Sequence, residues 1–327
     1  MSFSLPSLPF NIDSTTHILL IAVLPLFILR ALSMKMTMLR MRGLETLQSF
    51  LGISHGMRPE GFGTILRMVP TRVEGDSKVV SDYDVPKHLC TKATKNDTAK
   101  LPLSVLMSVF DDVSTWPIVV KDKQHRPGVS VHLSAELLDP SRPISPSTPL
   151  RIESTVDKSG RMLAFCSIHA YNRDSGELVA TGKHTKFLPM GFVFEFMFQR
   201  FMPLLHLYAS NFGPYRNSND MLMKNGTSKN ILDIIGPLEM TTSGTTTETN
   251  FRVGPLHKNP MGGMHGGCQS VVSQLVAEAG VSDLTASSGA KKKKPVLRSM
   301  SMTYMSTGRK QVRCTRRALR RGDFSGD

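Results

Sequence analysis

The stretch Asn259-Pro260-Met261-Gly262-Gly263-Met264-His265-Gly266-Gly267 packs an amide, an imidazole and four glycines ahead of an apolar run with helical spacing. Glycines let the backbone approach a ligand with no Cβ in the way. A helix starting there offers unpaired N–H groups at the positive end of its dipole, an arrangement that stabilises an oxyanion forming on an attacked carbonyl. The competing reading is a plain glycine-rich turn beside a core histidine. Attack also requires a base or nucleophile. Asp111 and Asp112 sit side by side in an earlier apolar run, and Ser130 opens the segment after it. Neighbouring helix positions point about 100° apart, so only one of the two carboxylates is expected to face a given cleft, with Asp112 left as a charge on the helix surface.

The elements that must hold these groups can be read from periodicity. From Leu101, the residues Val105, Leu106, Val109, Phe110, Val113 and Trp116 recur at helical intervals, and Pro117 with the lysines beyond it is expected to close the helix. The period then changes to two: Val129, Val131, Leu133, Ala135 and Leu137 alternate with Ser130, His132, Ser134 and Glu136, a half-buried strand. Leu150 to Val156, Met162 to Tyr171 and Leu178 to Leu188 read as three more strands separated by turn residues. Upstream, Gly63 to Val69 and Lys78 to Tyr83 read as two further strands. A single buried helix wrapped by an antiparallel sheet accounts for this order.

A similar order then begins again. Thr242 to Val253 is β-prone, Ser270 to Ala279 has helical spacing, and Met300 to Met305 alternates as Leu133 to Leu138 does. The repeat is offset by about 163 residues at the helix and 167 at the strand. The predicted organisation is therefore an N-terminal apolar segment over 1–45, a first repeat over 46–190, a connecting helix and linker over 191–233, and a second repeat over 234–327. That second repeat is incomplete at its C-terminal side. The open sheet edge this implies favours a homo-oligomer.

The formal net charge of +14 is concentrated late, with 12 Lys and Arg against two Asp from Lys291 onward. No aromatic interleaving accompanies these charges, which argues against a nucleic-acid partner; a phosphate-bearing ligand, an acidic membrane surface, or simply a solvated strand face with a lysine-rich turn remain. Ile18 to Leu29 is apolar with a basic C-terminal flank at Arg30, Lys35, Arg40 and Arg42, which reads as a membrane anchor or targeting segment. The localisation expected from it is membrane-associated or organellar. A buried N-terminal helix is the alternative. Cys90, Cys166, Cys268 and Cys314 lack metal-ligand spacing and read as reduced thiols.

The pattern Asn-x-x-x-Gly-x-His-Gly-Gly entering an apolar helix resembles small acyl-CoA thioesterases of the hotdog superfamily, the PaaI-like and thioesterase-superfamily-member-two type. In the first repeat, Phe110-Asp111-Asp112-Val113-Ser114-Thr115, Gly128-Val129-Ser130-Val131, Leu163-Ala164-Phe165 and Gly182-Lys183-His184-Thr185-Lys186 resemble the same family. The resemblance implies an α+β fold of two hotdog repeats, each an antiparallel sheet around a long helix. It also implies hydrolysis of acyl-CoA to free acid and CoA, with no cofactor beyond the CoA of the substrate. In such proteins the site lies between two hotdog units. Carried over by position, the resemblance makes Asp111 the general base or nucleophile, and Gly266 the oxyanion donor. Asn259, His265 and Ser130 become orienting groups, and Gly267, Gly128 and Val129 border the substrate.

Each repeat lacks what the other keeps. Gln274 and Leu297 stand where the second repeat would match Asp111 and Ser130, and Pro102, Leu103 and Ser104 stand where the first would match His265, Gly266 and Gly267. One composite site is therefore expected. The alternative is an inactive hotdog that binds acyl-CoA or scaffolds a partner. A hotdog hydratase is disfavoured because no histidine follows Asp111 at the required spacing.

Overall fold

The computed structural model describes residues 43–57, 60–95, 97–189, 191, 195, 229–243, 246–287, 297–304 and 311–317. The expected anchor and nearly all of the expected connecting helix lie outside these residues.

Two helices come first, Leu44–Met57 (α1) and Phe62–Leu66 (α2). The second corrects the strand expected over Gly63 to Val69. Phe62, Thr64, Ile65 and Leu66 are all buried, and a half-exposed strand cannot bury successive side chains. Helix α1 was not anticipated in the sequence. A short hairpin follows, Arg72–Glu74 (β1) against Lys78–Asp84 (β2).

The central helix α3 spans Leu103–Lys121 and runs through Pro117 instead of stopping before it. An internal proline forfeits one hydrogen bond and crowds the carbonyl a turn earlier. Ile118 and Val119, the next residues, are fully buried, and the burial of that last turn offsets the cost. This helix is the one described helix long and apolar enough to cross a membrane, and it is a core helix, with 89% of its apolar window inside the protein.

Four strands succeed it, Val129–Leu137 (β3), Pro149–Ser159 (β4), Leu163–Asn172 (β5) and Leu178–Phe187 (β6), their ends within three residues of the sequence expectation. The chain then continues through Ile231–Ile235 (α4), Met240–Ser243 (β7), Thr246–Arg252 (β8), Gly266–Ser287 (α5), Ser299–Thr303 (β9) and Gln311–Arg317 (β10). The β-prone run at Thr242 to Val253 is thus divided between two paired strands.

All pairings between these strands are antiparallel. The larger sheet has the order β1-β2-β4-β5-β6-β3-β9, and the smaller β10-β8-β7. Strands β2 to β6 curl around α3, which also packs against α5. This is the hotdog arrangement, a sheet wrapped about one long helix. Strand, strand, helix, strand, strand recurs as β7, β8, α5, β9, β10, and β9 extends the first sheet by pairing with β3 (Leu133 with Met302, Ala135 with Met300). One apolar core links both halves, reaching from Phe110 and Leu133 to Val272 and Phe251.

Candidate active site

Helix α5 begins at Gly266, and its start lies against the middle of α3. The loop before it is closed by its own polar groups. Asn259 Oδ1 accepts from Gly263 N–H at 3.1 Å, Asn259 N–H donates to Gly263 O at 2.8 Å, and His265 N–H donates to His257 O at 2.8 Å. A methyl group placed on Gly266 would stand 2.7 Å from Asp111 Oδ2, so the glycine turn of the second half and the carboxylate of the first half share one cleft. Among the described residues, no backbone acceptor takes the Gly266 N–H.

Asp111 is buried and surrounded by donors and cations. Ser130 Oγ donates to Oδ1 at 2.8 Å. Lys186 Nζ lies 4.0 Å from Oδ1, His184 Nε2 3.6 Å from it, and His265 Nδ1 3.5 Å from Oδ2. Burial alone would raise the pKa of this carboxyl. Lys186, His265, His184 and the Ser130 hydroxyl outweigh it and bring the pKa down to about 2. Burial pushes Lys186 below the ordinary amine value against the pull of Asp111, and drives His184 down to about 3. Lys186 donates to Thr115 Oγ1, which fixes its ammonium.

Ser130 reaches Asp111 because β3 carries an irregularity. Simple alternation would send Ser130 to the opposite face from Leu133 and Ala135. The β3–β6 register shifts between Ser130 and His132, so Ser130 pairs with Lys186 while Leu133 pairs with His184. The extra residue, Val131, turns Ser130 inward, as bulges do next to functional sites.

Asp112 departs from the expectation of a surface charge. Its Oδ1 is 3.1 Å from His265 Nε2, so the imidazole lies between two carboxylates, Asp111 at Nδ1 and Asp112 at Nε2. Gly267 N–H donates to Nδ1 at 3.0 Å, which requires a lone pair there and places the proton of the neutral ring on Nε2, toward Asp112. Both neighbouring acids can share the cleft because His265 extends across it; its ring also lies 5.3 Å from that of Phe62.

A cavity of about 520 Å³ joins these groups. Asp111, Ser130, Asn259, His265, Gly266, Gly128 and Val129 all line it, together with Asp112, Lys186 and Tyr304. Gly128 has φ +67, and a side chain there would press on Phe187 O at 3.0 Å. Gly267 is a correction. It does not border the cavity but faces α3, where a Cβ would come within 2.5 Å of Ser108 Cβ, and its carbonyl accepts from Ser108 Oγ at 2.9 Å. Its role is to let two helices cross closely.

Lys186 and Asp112 were missed in the sequence. A signal for Lys186 was present: in β6, Ala180, Gly182, His184 and Lys186 alternate inward, and a charge in the buried phase of a strand calls for a partner.

The sequence is 26% identical to the acyl-coenzyme A thioesterase 13 of Mus musculus over 128 residues, which span 39% of this chain and 85% of that protein. It is 32% identical to that of Homo sapiens over 81 residues, so here the chain spans 55% of the relative's length. The chain resembles the hotdog acyl-CoA thioesterases. Among solved structures, zebrafish thioesterase superfamily member 2 shares 26% identity, covering 44% of this chain and 98% of that one with a TM-score of 0.37. No family model matches the chain.

The pseudo-equivalent position in the other half looks different. Gln274, expected from the sequence to match Asp111, accepts from Ser104 N–H through Oε1 at 2.9 Å. Its Nε2 donates to Glu278 at 2.7 Å. Leu297 packs against the apolar core. A side chain of the protein thus satisfies the start of α3, where the start of α5 faces the cavity.

Proposed function

We propose that the chain hydrolyses acyl-CoA thioesters in this cavity, and that its two halves are two hotdog repeats sharing the one site. The observation that carries the reading is the approach of the Asp111 carboxylate to Gly266, the first residue of α5, where an added methyl would stand 2.7 Å from Oδ2. The repeat reading is supported by the recurrent element order and by the antiparallel β3–β9 pairing. Acyl-CoA chemistry is supported by the residue-by-residue resemblance and by the names of the relatives.

The thioester carbonyl oxygen is taken by the Gly266 N–H, where the helix dipole favours the negative charge that develops on attack. Asp111, ionised throughout the physiological range, either draws a proton from water as that water attacks, or attacks the carbonyl itself to form an acyl anhydride that water then opens. Ser130 holds Oδ1 and leaves Oδ2 toward the carbonyl. The C–S bond breaks, the electron pair leaves on the CoA sulfur, and the proton from water ends on the thiol. Water is the only co-reactant the hydrolysis consumes.

The test is thiol release from acyl-CoA by the purified chain, with Asp111→Asn beside it. The expected loss in kcat/KM is about 10³-fold or more at unchanged fold. Saturable acyl-CoA binding by the parent chain without thiol release would instead establish a binding protein.

A further inference from the structure

The cavity wall is closed in one part and open in another. Helix α1 contributes Phe50, Leu51, Ser54 and His55 and α3 contributes Trp116, and Leu51, Trp116 and His55 are 4%, 2% and 7% exposed. Met261, which lines the cavity with Lys258 and Pro260, is 47% exposed. On the thioesterase reading, the charged nucleotide of CoA has to stay at the open part, and the acyl group enters the closed one.

His55 is out of keeping with an apolar acyl pocket. Among the described residues neither ring nitrogen has a hydrogen-bond partner, and Nδ1 is sealed from water. Burial lowers its proton affinity against the opposing pull of Asp112, so the ring is neutral, with one N–H and one lone pair. A sealed lone pair costs less than a sealed N–H. The proton therefore sits on Nε2, which is not among the sealed atoms. Among the described residues no protein group serves that donor, and a saturated acyl chain would cover it without satisfying it.

We propose that His55 is a specificity-determining residue: its Nε2–H donates to an oxygen carried on the acyl chain, so that hydroxy- or oxo-acyl groups are taken in preference to saturated chains of the same length. The proposal rests on the thioesterase reading for its substrate class, and Ser54, one residue earlier in the lining, adds a hydroxyl as a second hydrogen-bonding group for such an oxygen.

The experiment compares octanoyl-CoA with 3-hydroxyoctanoyl-CoA, 3-oxooctanoyl-CoA and 8-hydroxyoctanoyl-CoA, in the parent chain, His55→Phe and His55→Gln. In the parent, kcat/KM for at least one oxygenated ester should exceed that for octanoyl-CoA by about tenfold. His55→Phe, which keeps ring volume without a donor, should bring the ratio to one or below. His55→Gln should keep part of it. Because the ratio is taken within each variant, a partial loss of folded protein cancels. Parity among the esters in the parent, or a preference that survives in His55→Phe, overturns the proposal. If no ester is hydrolysed, the hydrolysis reading fails by itself; the same ratio is then read from dissociation constants by calorimetry, and parity there overturns the proposal too.

Discussion

Gln274 Oε1 accepts the Ser104 N–H at 2.9 Å, which makes the amide of one half an internal ligand for the helix start of the other. Where Asp111 faces an open glycine turn, Gln274 is engaged by the Ser104 amide at the start of α3. On the proposed two-repeat reading, this asymmetry is the physical reason that the candidate site forms at Asp111 and not at Gln274. An amide is neutral, so it can cap a buried helix start without the compensating cations that Asp111 requires.

Replacing Gln274 with alanine should therefore act on stability and not on turnover. The buried Ser104 N–H loses its acceptor, a cost of about 1–2 kcal/mol. Denaturant unfolding should report that loss, while thiol release per folded molecule stays at the parent value. A large fall in turnover would mean that the second interface contributes to the site.

The two adjacent glycines should separate by phenotype. Gly266→Ala places a methyl 2.7 Å from Asp111 Oδ2 and 3.3 Å from Tyr304 OH, so hydrolysis should fall about 10²-fold or more with modest loss of stability. Gly267→Ala drives a methyl against Ser108 and should cost about 1–3 kcal/mol by forcing α3 and α5 apart. Adding Ser108→Gly to Gly267→Ala should recover part of that stability. No recovery would remove the helix-crossing role from Gly267.

The pH profile should be governed by His265 and not by Asp111. Asp111 stays ionised down to about pH 2, so it sets no limb near neutrality. For His265, burial favours the neutral ring, but Asp112, its hydrogen bond and Asp111 outweigh burial and raise the pKa above the ordinary imidazole value of about 6.5. Protonation removes the Nδ1 lone pair that accepts from Gly267 and puts a cation against Asp111. The acid limb of kcat/KM should therefore lie above about pH 6.5. Asp112→Asn should move it to lower pH, because the largest attraction for the proton is gone. A limb that Asp112→Asn leaves in place would dissociate His265 from it.

The linked stabilities follow from the signs of the same shifts. The raised pKa of His265 contributes stability that is complete below about pH 6.5 and is lost as pH rises through the folded value. The depressed pKa of Asp111 contributes stability present above about pH 4 and lost as pH falls toward about 2. Unfolding midpoints followed across pH in the parent and in Asp112→Asn should separate the two, since Asp112→Asn reduces the first.

By itself the sequence determined the core helix as far as Trp116, the strands from Val129 to Phe187 and the glycine turn into α5. These are set by local periodicity and by residues that permit a close backbone approach. Other features were decided only in three dimensions. Alternation along β3 pointed Ser130 away from the core, and the bulge at Val131, which needs β6 as its partner, turned it inward. Adjacency on α3 assigned Asp112 to the surface, and His265, brought in from 153 residues away, gave it a place in the cleft. The closed part of the cavity wall depends on α1, a helix whose burial is supplied by elements far along the chain. Local patterns report what a segment can form, whereas the direction of a buried polar side chain depends on the partner that satisfies it, which for Ser130 is Asp111 and for Asp112 is His265 from the other half of the molecule.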